Sequence, residues 1–221
     1  MNKKNLAVIA GIMLILIASV GSVCAFDLFG KSTNFENKFM SGTFDGVVAH
    51  NKINDNTSFA DWVDSYEDRD RNITYNMSCI KGGSFLTEMY QLQGLNPPET
   101  RNFNGQDWKI YYSQAVPTNE NGSENTNNSA VIHVYICEAD VDNVTYSINI
   151  MAYDNKTVNC DGTLYCDYFK NTIQPLLESI KLKDGKKAPQ IYKVMNMSKD
   201  DFNSLQDYIE QVKAGNVSAT A

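Results

Sequence analysis

The chain has 221 residues, 26 of them acidic and 19 basic, which gives a formal charge of −7 at neutral pH. That balance excludes non-specific nucleic-acid binding, which needs Lys and Arg to neutralise phosphates. A hydrophobic share of 43% with 11% aromatics excludes a disordered chain, and the length suits one globular domain or two small ones.

Lys3 and Lys4 precede an uncharged apolar run from Leu6 to Val20, and Val23-Cys24-Ala25 follows. Small side chains three and one positions before a cut are what signal peptidase accepts, so residues 1–25 read as a signal peptide cleaved after Ala25. The alternative is retention: the 20 residues from Leu6 to Ala25 match the length of a bilayer span and would serve as an anchor helix. Lipidation of Cys24 lacks the usual Leu and the small residue before it. Either outcome puts residues 26–221 outside the cytoplasmic membrane, secreted or at the cell surface, because the lysines stay inside. Membrane contact is expected only through residues 6–25, if they are uncut.

Without Lys3 and Lys4 the charge moves from −7 to −9. Without Cys24 an even set remains, Cys79, Cys137, Cys160 and Cys166, and in an exported chain these read as two disulfides with three connectivities. Cys160 and Cys166 enclose a short Asp-Gly loop and suit each other, which leaves Cys79 with Cys137. A zinc site would want a close C-x-x-C pair, and there is none. Asn opens an N-x-Ser/Thr triplet at nine positions, Asn56, Asn72, Asn76, Asn121, Asn127, Asn143, Asn155, Asn196 and Asn216. Composition alone predicts roughly three, so the excess points to N-glycosylation of an extracellular surface.

Residues 26–42 read as a tether, with a short strand over 43–49. Ser58 and Asp61 resemble a capping box, and Phe59, Trp62, Val63 and Tyr66 fall at helical spacing, which predicts a helix with Asp61, Asp64 and Asp68 on its solvated face. Residues 72–80 alternate, with Ile73, Tyr75, Met77 and Cys79 on one side, as in a half-buried strand. Gly82-Gly83 end it, and a short helix runs from Phe85 to Gln93 before Gly94 and Pro97-Pro98. Asn104-Gly105 is the strongest hairpin signal in the chain, because both turn positions tolerate positive φ; it joins 99–103 to 107–116. The polar tract 117–129 is a loop. Strands 130–138 and 144–153 follow around a turn at Asp140–Asn143. A helix over 167–180 carries Pro175, which should kink it. Ser198-x-x-Asp201 caps a last helix, 199–214, with Phe202, Leu205, Ile209 and Val212 inward, and the tail beyond it is loose.

The fold class expected is α+β, an antiparallel meander sheet with helices packed on one face behind the N-terminal signal or anchor helix. The domain spans 43–182, and 183–221 form a C-terminal extension.

Chemistry-bearing residues are few. His50 lies in a polar connection. His133 sits on one strand face with Tyr135 and Cys137, a conceivable Cys–His pair that the disulfide reading removes. Gly82-Gly83-Ser84 is a weak anion-site look-alike. The carboxylates Asp61, Asp64, Glu67, Asp68 and Asp70 are interleaved with Arg69 and Arg71 and do not converge on a cation. The segment 154–162 is oxygen-rich without a calcium-loop series. Lys181, Lys183, Lys186 and Lys187 bracket Asp184-Gly185 as a charged turn. No catalytic residue, metal ligand or cofactor is assigned.

The order Asn104-Gly105 and Trp108, the strands to Tyr153, then Phe169–Ile180 resembles small exported α/β-sandwich modules of the PsbP type. The lysine start, apolar export segment and Asn-rich exterior resemble surface proteins of methanogenic archaea. The PsbP-type resemblance covers 43–182 and the second the whole chain, and they imply an accessory or binding role with an extracellular or envelope partner rather than catalysis. Two other classes stay open. One is an extracellular hydrolase working through paired carboxylates on envelope polymers. The other is a small-ligand-binding protein using Trp108, Tyr111 and Tyr112.

Overall fold

The computed structural model describes residues 32–51, 60–115, 131–154 and 167–216. The expected signal segment, the loop 117–129, Cys160 and Cys166, and Asn56, Asn121, Asn127 and Asn155 lie outside the described residues.

Among the described residues ten strands form two antiparallel sheets. The small sheet has the order β1-β2-β10, from β1 (Ser32–Glu36), β2 (Met40–Asp45) and β10 (Lys181–Leu182). The large one has the order β3-β4-β5-β9-β8-β7-β6. Its strands are β3 (Ala49–Asn51), β4 (Val63–Asp68), β5 (Ile73–Lys81), β6 (Glu99–Phe103), β7 (Gln106–Ala115), β8 (Val131–Val141) and β9 (Val144–Asp154). Tight turns join β6 to β7 and β8 to β9. Asn104 and Gly105 have φ of 53° and 80°, and Asp142 and Asn143 of 51° and 63°. Both turn positions are left-handed in each, the condition for a two-residue hairpin whose twist matches its strands.

The period of two puts Tyr75, Met77, Tyr135, Cys137, Trp108, Ile110, Ile148 and Ile150 on one face of the large sheet. All are buried in the main core. The small sheet covers that face with Phe35, Met40 and Phe44, and the Phe44 ring lies 4.7 Å from those of Phe35 and Tyr75. A π-helical turn (Phe169–Ile173) leading into α2 (Gln174–Ser179) adds Phe169, Ile173, Leu176 and Leu177. Pro175 falls in the first turn of α2, where its missing N–H breaks no bond within that helix. The widened turn before it is the departure from a straight helix that Pro175 leads one to expect.

The helices are not confined to one face, and this corrects the expected layering. On the opposite side, α1 (Phe85–Gln91), α3 (Ile191–Val194) and α4 (Lys199–Lys213) gather Phe85, Met89, Ile191, Val194, Phe202, Leu205 and Ile209 around Ile80 of β5. Thr145 and Ser147, polar residues of the alternation that faces away from the main core, are covered there rather than solvated. Ser198 caps α4, its Oγ accepting from Asp201 N at 3.1 Å.

Two other expectations change. Residues 32–42 are not a tether: β1 pairs with β2 in register Phe35↔Gly42, and the amide oxygen of Asn37 holds the turn by accepting from Phe39 N and Met40 N. Residues 60–68 are not helical beyond a 3-10 turn (Ala60–Trp62). Val63–Asp68 instead pairs on both edges, Tyr66 opposite Tyr75 and His50. The apolar spacing of Trp62, Val63 and Tyr66 fits a helix, but two strand partners satisfy the same backbone groups and bury Tyr66 among Phe35 and Phe44. The acidic run is correspondingly not one solvated face. Asp68 is 1% exposed and binds Arg71, while Asp61 pairs with Lys38 and Asp64 with His50. Among the described residues no helix is long and apolar enough to cross a membrane.

Candidate binding cavity

The side of the large sheet away from the main core carries, among the described residues, an arrangement suited to a ligand. Gly82, at φ 71°, turns the chain out of β5. Gly83 lets it pass close above β9, since a Cβ there would stand 3.0 Å from Thr145 Cβ. Ser84 N then donates to Thr145 Oγ1 at 2.9 Å. This fixes the start of α1 on the sheet and uses the amide that an anion at Gly82-Gly83-Ser84 would need. At its other end Gly94, at φ 100°, reverses the chain and Leu95 N bonds back to Tyr90 O at 3.0 Å.

Beneath α1 lies Glu138, 3% exposed. Its Oε2 is 2.8 Å from Thr87 Oγ1, and burial, first, pushes its carboxyl up to about 7, with the Thr87 hydrogen bond pulling the other way and Asp140 adding to the rise. Asp140 is held by Lys109 at 2.8 Å and by the Thr145 hydroxyl at 2.7 Å. The space beside Glu138, bounded also by Ser78, Tyr90 and Ser147, is about 20 Å3, the size of one water site.

From there a larger cavity of about 400 Å3 opens, sharing Tyr90, Ile136 and Asn149 with the small one. Val134, Ile136 and Met151 make an apolar floor from β8 and β9, and Tyr90, Gln93, Gly94 and Leu95 make the wall. Polar groups come from Ser113, Asn149 and Asn76. Asn76 and Asn149 face each other across β5 and β9. Asn76 is 5% exposed, and among the described residues its Nδ2 has no hydrogen-bond partner. A buried donor left unmade costs about 1–3 kcal/mol, a cost that persists where another requirement holds it. The volume lies in the range of small-molecule sites, roughly 300–1,000 Å3.

Sequence reasoning missed this site because it assigned the outer alternation to solvent. The available signal was that Ile132, Val134 and Ile136 make the outer face of β8 apolar, which calls for cover.

The residues singled out from sequence fall elsewhere. Trp108 and Tyr112 are core residues on the opposite face, and only Tyr111 shares the cavity side of the sheet. His133 is fully buried, its Nδ1 2.8 Å from Tyr112 Oη. It stands four residues along β8 from Cys137, about 13 Å, so the two make no nucleophile pair. His50 contacts Asp64, whose Oδ2 also accepts from Tyr66 Oη at 2.6 Å. Lys183 Nζ binds Glu36 Oε1 and Asn37 O, both at 2.7 Å, so that lysine of the cluster braces the turn between β1 and β2. Among the described residues no group of three or more His, Cys, Asp or Glu side chains converges for a metal.

The expected Cys79–Cys137 bridge is corrected. Both are buried free thiols, on β5 and β8 with β9 between them. Two strand spacings and a two-residue offset along β9 set their Cα atoms about 12 Å apart, beyond the roughly 7 Å a disulfide spans. Asn72, Asn143, Asn196 and Asn216 are exposed, whereas Asn76, buried in the sheet, leaves no room for a glycan.

No family model and no curated protein matches the chain. Among solved structures it is similar to cyanobacterial PsbP (CyanoP) from Synechocystis sp. PCC 6803, with 13% identity over 73% of this chain and 98% of that one, and a TM-score of 0.42. It is also similar to a protein of Bacteroides thetaiotaomicron VPI-5482, with 9% identity, a TM-score of 0.40 and coverage of 70% of this chain; the match spans about half, 49%, of the Bacteroides chain.

Proposed function

We propose that the chain is an exported, non-enzymatic binding module whose ligand seat is the cavity between α1 and the large sheet. The observation that carries this reading is the 400 Å3 space with its apolar floor and the polar side chains Asn76, Asn149 and Ser113 in its lining. The apolar run Leu6–Val20 behind Lys3 and Lys4 supports export, and the exposed triplets at Asn72, Asn143, Asn196 and Asn216 suit a glycosylated exterior. Its partner is then a small molecule of the envelope or the surroundings, and a Cys160–Cys166 bridge belongs to the same reading. The hydrolase alternative finds its candidate carboxylate in Glu138, but the 20 Å3 beside it admits no sugar ring.

Two measurements test this. Protein-observed NMR against a set of neutral aromatic fragments should give shifts clustered at Asn76, Leu95, Val134 and Met151, and Met151→Trp, which fills the floor, should abolish them. Shifts scattered over the surface, or none, overturn the seat. Fractionation of cells expressing the full chain should find it outside the cytoplasmic membrane; recovery inside overturns export.

A further inference from the structure

We propose that the cavity selects an uncharged molecule with an apolar body and a carboxamide edge, the amide being read by Asn76 and Asn149. This rests on the reading of the cavity as a ligand seat and narrows it to a chemical class.

Charge is the first discriminant. Among the described residues the lining has no carboxylate, ammonium or guanidinium, and its one ionisable group there, the Tyr90 phenol, is kept neutral, burial raising it further. An ionised ligand would leave water without a counter-charge, which is strongly unfavourable. The floor of Val134, Ile136 and Met151 asks for an apolar body of matching area.

Hydrogen bonding is the second. Asn76 and Asn149 are directly opposed, so their side chains leave the same face of neighbouring strands about 5 Å apart. Each amide offers one acceptor oxygen and two N–H donors, and Nδ2 of Asn76, shut off from solvent as it is placed, stands without a partner among the described residues. A half-turn of either amide turns a donor or an acceptor toward the cavity. A ligand carboxamide has the complementary set: its carbonyl takes an Asn N–H while its own N–H donates to an Asn oxygen. A ketone satisfies only the donor side, and a hydrocarbon neither. Sites built around buried polar groups reject analogues that leave those groups unpaired.

The test uses three probes of one shape, 2-naphthamide, 2-naphthoate and 2-isopropylnaphthalene, titrated into the full chain by NMR and calorimetry. The naphthamide should bind at least about tenfold more tightly than the naphthoate. Asn76→Leu, and separately Asn149→Leu, should weaken the naphthamide about fivefold or more while the isopropyl probe binds as well as before or better. Retained binding of the isopropyl probe also shows that each variant is folded. Equal affinity for amide and carboxylate, or an amide affinity unchanged in both variants, overturns the carboxamide inference and leaves the cavity a ligand seat. If none of the three probes shifts cavity residues in the unmodified chain, the seat itself fails.

Discussion

Thr87 Oγ1 lies 2.8 Å from Glu138 Oε2 and, on its other side, 2.9 Å from the carbonyl oxygen of Ser84. A hydroxyl has one hydrogen, so it donates to only one of the two. When Glu138 is ionised, Thr87 gives its hydrogen to the carboxylate. When Glu138 is neutral, its own O–H donates to Thr87, and Thr87 is free to donate to Ser84. The protonated form therefore makes one more hydrogen bond across the junction of α1 with the sheet.

Stability should fall as pH rises through this window. The Glu138 carboxyl is raised from 4.5 to about 7 in the folded chain, so the native state holds a proton that the unfolded state has lost. The resulting stabilisation is complete below the unfolded value and disappears as pH climbs through about 7, an effect of up to ~3 kcal/mol. Lys109 opposes the rise, while Asp140 and Glu88 add to it. Denaturant titrations from pH 5 to pH 8 should show the decline, and Glu138→Gln, which cannot ionise, should flatten it and be the more stable protein at pH 8. A wild-type profile as flat as the variant's would rule this out.

Gly185 is fixed by contact rather than by backbone conformation. A Cβ there would stand 2.6 Å from Tyr146 Oη, 2.7 Å from Val144 Cγ1 and 3.2 Å from Cys79 Sγ, while that tyrosine hydroxyl donates to Lys183 O at 2.5 Å. Gly185→Ala should cost about 1–3 kcal/mol by overpacking. Adding Tyr146→Phe removes the nearest atom, so the double variant should lose less than the two single losses together. Additive losses in urea unfolding would show that the hydroxyl is not the obstacle.

How much of this was legible depended on whether the cause is local. The hairpins at Asn104-Gly105 and Asp142-Asn143 need positive φ at two adjacent residues, and β5 announces itself by strict alternation. The Ser198 cap acts within four residues of itself. By contrast, the helical spacing of Trp62, Val63 and Tyr66 is outweighed by pairing with β3 and β5, which nothing near those residues reports. The cavity was hidden for a related reason. Asn76, Ser78, Thr145, Ser147 and Asn149 look solvated until α1 lies over them, and where that helix lands is decided by distant contacts such as Phe85 against Phe202. Glu138 stood unnoticed at the end of a strand because its partner Thr87 is 51 residues away in sequence.

Asp68 and Arg71 make a turn that sequence reading left on the surface. Asp68 accepts from Arg71 Nε at 2.6 Å and from Arg71 N at 3.0 Å, and Asp45 stands 3.5 Å from Arg71 Nη1. Asp68 is 1% exposed but Arg71 is 31% exposed and keeps Asp45 beside it, so Asp68→Ala, which removes two accepted hydrogen bonds, should cost about 1–3 kcal/mol. Asp68→Asn, which keeps an acceptor, should cost less. Arg71 reaches solvent, so part of the loss should be screened at high salt. An Asp68→Ala chain as stable as wild type would mean that Arg71 re-pairs with Asp45 at no cost.

The two thiols of the large sheet should stay reduced and unreactive for as long as the chain is folded. Burial, first, pushes the Cys79 thiol up to about 12, with Tyr146 and Lys81 drawing it down. Burial, with Glu138 adding, also drives the Cys137 thiol upward. Thiolate is the reacting form, and at pH 8 a thiol at about 12 carries about one part in ten thousand of it. Access is closed as well, since both side chains lie within the main core. Iodoacetamide should therefore label neither in the native chain and both in guanidinium, and peptide mapping without reduction should recover the β5 and β8 peptides unlinked to each other. A linked Cys79–Cys137 peptide would require β9 to leave the sheet, and its detection would overturn the strand order itself.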